Sequence, residues 1–381
     1  MTDPILHTAV IGASGKMGRG IALLVLQEAA YSKDPFSLLC IDTREESFPE
    51  LKAYLREHLT RHAERNILRV RALFETDATI VSNKEAIDRF IAKALDQVNC
   101  SSAIEHGKNA SLVFEAAYED LDVKVTLLKQ CAQNPKAWVL TNTSSIPIHL
   151  LATASGLNER LIGYHFYNPP PVQKLMEIIA SKYTSPELAS YAEKLAIRLQ
   201  KTVVQSADIA GFIGNGHFSR EILYACKLVE ELESSGSSFA EALQKIDSIT
   251  KEKLIRPMGV FELLNYVGLQ VAHNLLEIMR TYLPDPSFQT AVLQRFQKIA
   301  FTQAEGNAWK VASKEKKDFK LYFENLAKSK DPDDVLAMRY LNHSKAIENL
   351  LVETKVAASI QDVGTVLKLG FHHLYAPHEV I

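Results

Sequence analysis

The sequence predicts two units: an α/β unit, built on a largely parallel sheet with helices on both faces, and an all-α unit after it. Three observations carry this. Through the first half, short β-rich apolar runs alternate with amphipathic helical stretches, the pattern of βαβ units. The first apolar run passes through a glycine turn, VIGASGKMGRGIA, straight into a helix. Beyond Ser206 the strand signal fades and only a 3.6-residue period remains. The boundary is placed there, giving 1–205 and 206–381.

In order, 8–11 is a β-rich run and 18–30 an amphipathic helix. A polar loop holding Pro35 leads to a second apolar run, 37–41, which ends at Asp42. Residues 49–75 read as a long charged helix broken near Asn66. Runs at 79–81 and 111–115 read as strands around a helix over 84–95. A helix over 121–131 precedes a strand at 138–141. Strands at 161–165 and 175–179 flank a proline-rich turn, and a helix over 186–200 and a strand at 202–205 close the first unit. The second unit carries helices over 213–234, 239–251, 260–283 and 289–304. The stretch 346–380 echoes 225–263, so a second, degenerate helical repeat is expected from about residue 335.

Bulk properties exclude several functions. A formal net charge of -2 gives no pull toward nucleic acid or a membrane surface. The longest clean apolar run, 21–26, is far short of a membrane span. The chain opens without a basic segment of the secretory type. Cys40, Cys100, Cys131 and Cys226 lie far apart without CxxC spacing, as reduced thiols do. His372, His373 and His378 in the tail lack the spacing of a metal site. The expectation is a cytoplasmic protein of two domains with no metal.

Four stretches bear chemistry. A glycine turn at a helix start offers unpaired amides to a pyrophosphate. Gly12, Gly15 and Gly18 run G-x-x-G-x-x-G, one residue longer than the usual dinucleotide fingerprint, with Ser14 as the extra residue. Asp42, 24 residues after Gly18, ends the next strand. A carboxylate there accepts hydrogen bonds from ribose hydroxyls and repels a 2′-phosphate, which favours NAD over NADP. Arg44 stands close enough to greet such a phosphate.

In LIGYHFYNPPPVQKLMEII, His165 ends a strand and Glu177 sits in an apolar run. A carboxylate in such a run is costly unless paired. A return turn would bring it beside the imidazole, as a general base and partner or as a structural salt bridge. WVLTNTSSIP puts Asn142, Thr143, Ser144 and Ser145 at the carboxyl end of a strand, which faces the ligand crevice of an open sheet. Ser145 also reads as a cap for the helix that Pro147 begins. ADIAGFIGNGHF sets Asn215 at a helix start, the usual place of a capping residue.

Taken in order, the glycine turn, VFEAAYEDLDVK, TNTSS, GYHFYNPPPVQKLMEII, AGFIGNGHF and RPMGVFELLNYVGL resemble the L-3-hydroxyacyl-CoA dehydrogenase family over about residues 9–269. The resemblance implies a Rossmann-like NAD-binding domain and a helical domain that forms a dimer interface. It implies NAD as cofactor and the interconversion of 3-hydroxyacyl-CoA and 3-ketoacyl-CoA, as in β-oxidation or butanoate-type metabolism. Carried over by motif, His165 would be the general base and Glu177 its partner, and Ser144 and Asn215 would bind the 3-oxygen. Glu119 and Lys124 would lie on the nicotinamide side. Gly12, Ser14, Gly15, Lys16, Met17, Gly18, Asp42 and Asn142 would complete the cofactor contacts.

The departures are the extra loop residue, Ala210 where proline is usual, Gly216 where arginine is common, and Asn265 and Gln270 where aspartates stand. They mark a divergent member. An acyl-CoA partner needs cations for its phosphates. The segment 49–75 offers Lys52, Arg56, Arg61, Arg65, Arg69 and Arg71, interleaved with Glu50, Glu57 and Glu64 as on a solvated face. The helical echo implies either a homodimer or a monomer that builds the second unit internally. Two other readings stand beside this one: a dehydrogenase of the same fold acting on a free hydroxy or sugar acid, and a non-catalytic dinucleotide-binding protein.

Overall fold

The computed structural model describes residues 3–283, 307–315 and 317–381. The chain divides into two compact units, Met1–Thr143 with Ile148–Val203, and Ser144–Pro147 with Val204–Ile381. The short stretch 144–147 thus groups with the helical unit although it lies within the α/β sequence.

The sheet has eight strands in the order β3-β2-β1-β4-β5-β6-β7-β8. These are β1 (His7–Ile11), β2 (Ser37–Ile41), β3 (Val98–Ser101), β4 (Leu112–Glu115), β5 (Trp138–Thr141), β6 (Leu161–Phe166), β7 (Leu175–Ile179) and β8 (Thr202–Gln205). The ladders from β3 through β6 are parallel, and β7 runs antiparallel to β6. Parallel neighbours need a crossover, supplied on β1 to β2 by α1 (Lys16–Ala29) and on β4 to β5 by α5 (Leu121–Ala132). The turn between β6 and β7 contains no helix, so the chain returns on itself. The order reverses between β1 and β4, and the carboxyl ends of those strands frame the crevice where an open α/β sheet takes its ligand. Apolar side chains of β1, α1 and β4 form the core beneath it, among them Val10, Ile21, Leu26 and Phe114.

Several expectations need correction. Residues 79–81 are not a strand. Val81 is 76% exposed, and Asp77 accepts the Thr79 N–H at 3.0 Å in a local turn. The edge position belongs to β3, whose polar sequence VNCS hides the strand signal because only Val98 is buried. The first helix starts at Lys16, since Gly15 is its cap. The break at Asn66 is present, between α2 (Phe48–Arg65) and α3 (Ile67–Ala72), and α4 (Asn83–Leu95) follows. The sheet unit also holds α6 (Ile148–Ser155) and α7 (Pro186–Arg198).

In the second unit, α8 (Gly214–Ser234) and α9 (Phe239–Ser248) match expectation at their starts, but α9 ends early in a wide turn over Ile249–Lys253. The expected helix over 260–283 is broken at Gly268, whose φ of 107° no other residue adopts cheaply. It becomes α10 (Val260–Val267) and α11 (Leu269–Tyr282). The helix expected over 289–304 lies outside the described residues. The remaining α-helices among the described residues are α12 (Ala308–Ala312), α13 (Phe319–Leu326), α14 (Pro332–Glu353), α15 (Ile360–Gly370) and α16 (Pro377–Val380).

α14 packs on α8, with Tyr224 and His343 stacked at 3.7 Å. Arg256 of the RPMG motif closes this core. Its guanidinium donates to both Glu221 oxygens at 2.9 Å, and the Ser344 hydroxyl donates to Glu221 at 2.7 Å. Burial alone would raise the Glu221 pKa, but Arg256 outweighs it and holds the carboxyl down to about 2. Among the described residues no helix is long and apolar enough to cross a membrane.

Candidate functional site

The glycine turn is shaped by what its residues lack. Gly12 has a φ of 75°, and a Cβ there would meet the Ala116 carbonyl oxygen at 2.6 Å. A Cβ on Gly18 would lie 2.0 Å from the Gly12 oxygen. The turn can therefore close only with bare backbone, and it delivers the chain into α1 with Gly15 as a cap that makes no side-chain hydrogen bond. The amides of Lys16, Met17 and Gly18 have no acceptor within the helix and stand at its positive end. Such an end binds a pyrophosphate.

The extra residue ties this turn to β2. The Ser14 N–H donates to Asp42 Oδ2 at 3.0 Å, and the buried Ser14 hydroxyl has no hydrogen-bond partner. Asp42, itself buried, accepts the Arg44 N–H at 3.2 Å and pairs with Arg44 Nε at 3.4 Å. Arg44 thus braces the acid. The bare-backbone cradle, the free amides, the orphaned hydroxyl and the fixed carboxylate all suit a dinucleotide.

At the end of β4 a buried ionic network begins. Lys124 Nζ lies 2.8 Å from Glu115 and 3.3 Å from Glu119. Thr141 donates to the second Glu115 oxygen at 2.5 Å, and Thr143 donates to Glu119 at 2.7 Å. Burial disfavours the Lys124 ammonium, but Glu115 and then Glu119 outweigh that and hold its pKa above the ordinary lysine value. Asn142 links neighbouring strand ends, donating its N–H to the Glu115 carbonyl at 2.7 Å and accepting the Phe166 N–H at 2.9 Å. Sequence reasoning missed Glu115. A carboxylate ending the apolar run LVFE was the available signal, the same one that marked Glu177.

The return of β7 on β6 sets His165 directly opposite Glu177. His165 Nδ1 and Glu177 Oε1 are 3.1 Å apart, and both side chains are buried. A carboxylate on Nδ1 keeps the proton there and leaves Nε2 as the basic nitrogen. Tyr167, missed in the sequence, donates its hydroxyl to the same Oε1 at 2.8 Å and lays its ring 4.9 Å from the imidazole. Burial, with the Glu177 carboxylate adding to it, pushes the Tyr167 phenol well above its usual pKa. Lys201, also unforeseen, fastens the proline turn by donating to the carbonyls of Pro170 at 2.5 Å and Gln173 at 2.7 Å. Burial, helped by Lys174, lowers its pKa to about 8.

In the helical unit Asn215 is the second residue of α8, and Ile213 takes the cap position, so Asn215 is not a helix cap. Its Nδ2 donates to the Ser144 carbonyl at 2.9 Å, and the Gly211 N–H donates to the Ser145 carbonyl at 3.0 Å. The two residues expected at the substrate oxygen, Ser144 and Asn215, are therefore neighbours within one unit.

Two family models match the chain. "3-hydroxyacyl-CoA dehydrogenase, NAD binding domain" covers residues 7–209, and the C-terminal domain of the same family covers 211–309. A probable 3-hydroxybutyryl-CoA dehydrogenase of Deinococcus radiodurans is 31% identical over 288 residues, 75% of this chain and 92% of that one. The mitochondrial hydroxyacyl-coenzyme A dehydrogenase of Sus scrofa is 30% identical over 72% of this chain and 79% of its own. Among solved structures, a 3-hydroxybutyryl-CoA dehydrogenase from Escherichia coli K12 matches with a TM-score of 0.66 over 97% of this chain and 90% of that one. At 21% identity that likeness speaks for the fold alone.

Proposed function

The chain belongs to the 3-hydroxyacyl-CoA dehydrogenase family, and from that premise we propose that it oxidises the 3-hydroxyl of an L-3-hydroxyacyl-CoA, reversibly, with His165 as general base and Glu177 as its partner. It is an NAD-dependent dehydrogenase. The observation that best supports the assignment is the place of the buried His165–Glu177 contact, 3.1 Å through Nδ1, near the carboxyl end of β6, the side on which an open α/β sheet takes its ligand.

NAD, when bound, supplies the acceptor for the hydride that leaves C3. The amides of Lys16, Met17 and Gly18, beside Gly12, Ser14 and Gly15, would hold its pyrophosphate, and Asp42 its adenine ribose. Glu119 and Lys124 are assigned to its nicotinamide side, and Asn142 to a further cofactor contact. His165 Nε2 takes the hydroxyl proton, and Glu177 offsets the charge of the imidazolium that forms. Ser144 and Asn215 are assigned to the substrate 3-oxygen, which orients C3 for transfer. In reduction the same groups work in reverse. The reaction suits fatty-acid β-oxidation or butanoate-type metabolism in the cytoplasm.

Acetoacetyl-CoA-dependent loss of NADH absorbance, repeated across acyl chain lengths, tests this reading. Tight NAD binding with no turnover on any acyl-CoA overturns it, and turnover on a free hydroxy acid instead replaces the substrate. Binding of NAD at least tenfold tighter than NADP is the result expected from Asp42.

A further inference from the structure

We propose that Tyr167 is a positioning residue for the His165–Glu177 pair, its hydroxyl pinning the carboxylate oxygen that holds His165 Nδ1. The proposal rests on the reading of His165 as the general base.

The hairpin register fixes the backbone of Glu177 opposite His165 but not the carboxylate plane. The last torsion of a glutamate side chain is broad, so backbone placement alone leaves the oxygens free to turn. Two donors converge on one atom here. Nδ1 of His165 reaches Oε1 at 3.1 Å and the Tyr167 hydroxyl reaches it at 2.8 Å. Turning the carboxylate would stretch both contacts together. Tyr167 stands two residues beyond His165, a spacing that sets side chains on one face of an extended chain, and its ring packs at 4.9 Å from the imidazole. It is thus both a wall for the ring and a donor to its partner.

The hydroxyl has an electrostatic cost. A donor on the carboxylate draws charge from it and weakens its hold on an imidazolium. Among the titratable groups that meet this oxygen are His165 from β6 and Tyr167 from the turn after it. The phenol stays protonated across the working range and serves Glu177 as a donor. The carboxylate's position is secured at some cost in its hold on a charged ring.

Tyr167→Phe keeps the ring and removes the donor. The expected result is a drop in kcat of about 5- to 10-fold, with KM for acyl-CoA and for NAD within about twofold. The acid limb of kcat/KM for oxidation should move up by about half a pH unit, because the freed carboxylate holds the imidazolium more strongly. A purely structural tyrosine would lower the melting temperature and leave that limb in place, and this outcome overturns the proposal. So does an unchanged kcat with an unchanged limb. On a Glu177→Gln background the same substitution should cost less than about twofold, since the hydroxyl acts through Glu177. A full 5- to 10-fold loss there also overturns it. His165→Gln separates the two layers. If it abolishes turnover while Tyr167→Phe changes nothing, only the positioning role falls. If His165→Gln leaves turnover intact, the general-base reading falls and the positioning role with it.

Discussion

Two histidine–glutamate pairs share one separation in this protein. His165 Nδ1 lies 3.1 Å from Glu177 Oε1 in the sheet unit, and His378 Nδ1 lies 3.1 Å from Glu348 Oε1 in the helical unit. Both glutamates are fully buried. Their other contacts differ. Glu177 Oε1 also takes the Tyr167 hydroxyl, on the β6–β7 hairpin of the dinucleotide-type sheet. Glu348 Oε2 takes the backbone N–H of His378 at 2.8 Å, in the first turn of α16. That carboxylate therefore clamps the chain's last helix to α14. The His378 ring lies against Gly364, where a Cβ would come within 2.7 Å of Cε1, and Lys345 donates to the Ile381 carbonyl. A short imidazole–carboxylate contact thus says little by itself. What else the carboxylate holds separates a candidate base from a staple.

That contrast is best broken by removing each histidine in turn. His165→Gln should lower kcat by about 10³-fold, with NAD affinity and melting temperature nearly unchanged, as read by NADH absorbance and calorimetry. An active variant would erase the distinction. Glu177→Gln should cost about 10²-fold in kcat, because a neutral amide cannot offset the imidazolium. His378→Gln should do the opposite, leaving turnover at room temperature within twofold while removing about 1–2 kcal/mol of stability, or about 2–6 °C of melting temperature. Loss of activity without loss of stability there would make the tail pair functional.

The smallest effect concerns pH. Burial raises the Glu348 pKa to about 7 despite the opposing His378 contact. A carboxyl raised on folding contributes stability below its unfolded value, and that contribution is lost as pH rises from about 4.5 through about 7. The stability difference between the wild type and Glu348→Gln should therefore shrink by about 1–2 kcal/mol between pH 4.5 and pH 8. The difference is the quantity to read, because Asp247, raised by burial to about 7, adds a slope of the same sign. His217, lowered by burial to about 4, adds one of opposite sign.

Much of this was legible beforehand. β2, β5, β7 and β8 were readable as apolar runs between turn residues, and the break at Asn66 as a polar interruption. His165 and Glu177 stood out because a carboxylate in LMEII must find a partner. β3 was not readable, because an edge strand buries little and VNCS carries almost no alternation. The break at Gly268 was masked by apolar periodicity on both sides of it. Tyr167 and Lys201 were invisible as site residues. Each acts on an atom that is far along the chain or in a different kind of element, and no local pattern encodes that.

The sequence by itself determined the two-unit class, the glycine turn and the chemical types at the site. Those follow from period, from the bare backbone that Gly12 and Gly18 allow, and from the cost of an unpaired buried charge. Only the tertiary structure decided which histidine–glutamate pair holds a hairpin and which holds a tail. It also decided that Ser14 is an anchor to Asp42 and that Asn215 reaches the Ser144 carbonyl. The physical reason is range. Propensity and periodicity act over a few residues, while a hydrogen bond to a carboxylate is set by two segments whose meeting the whole core dictates.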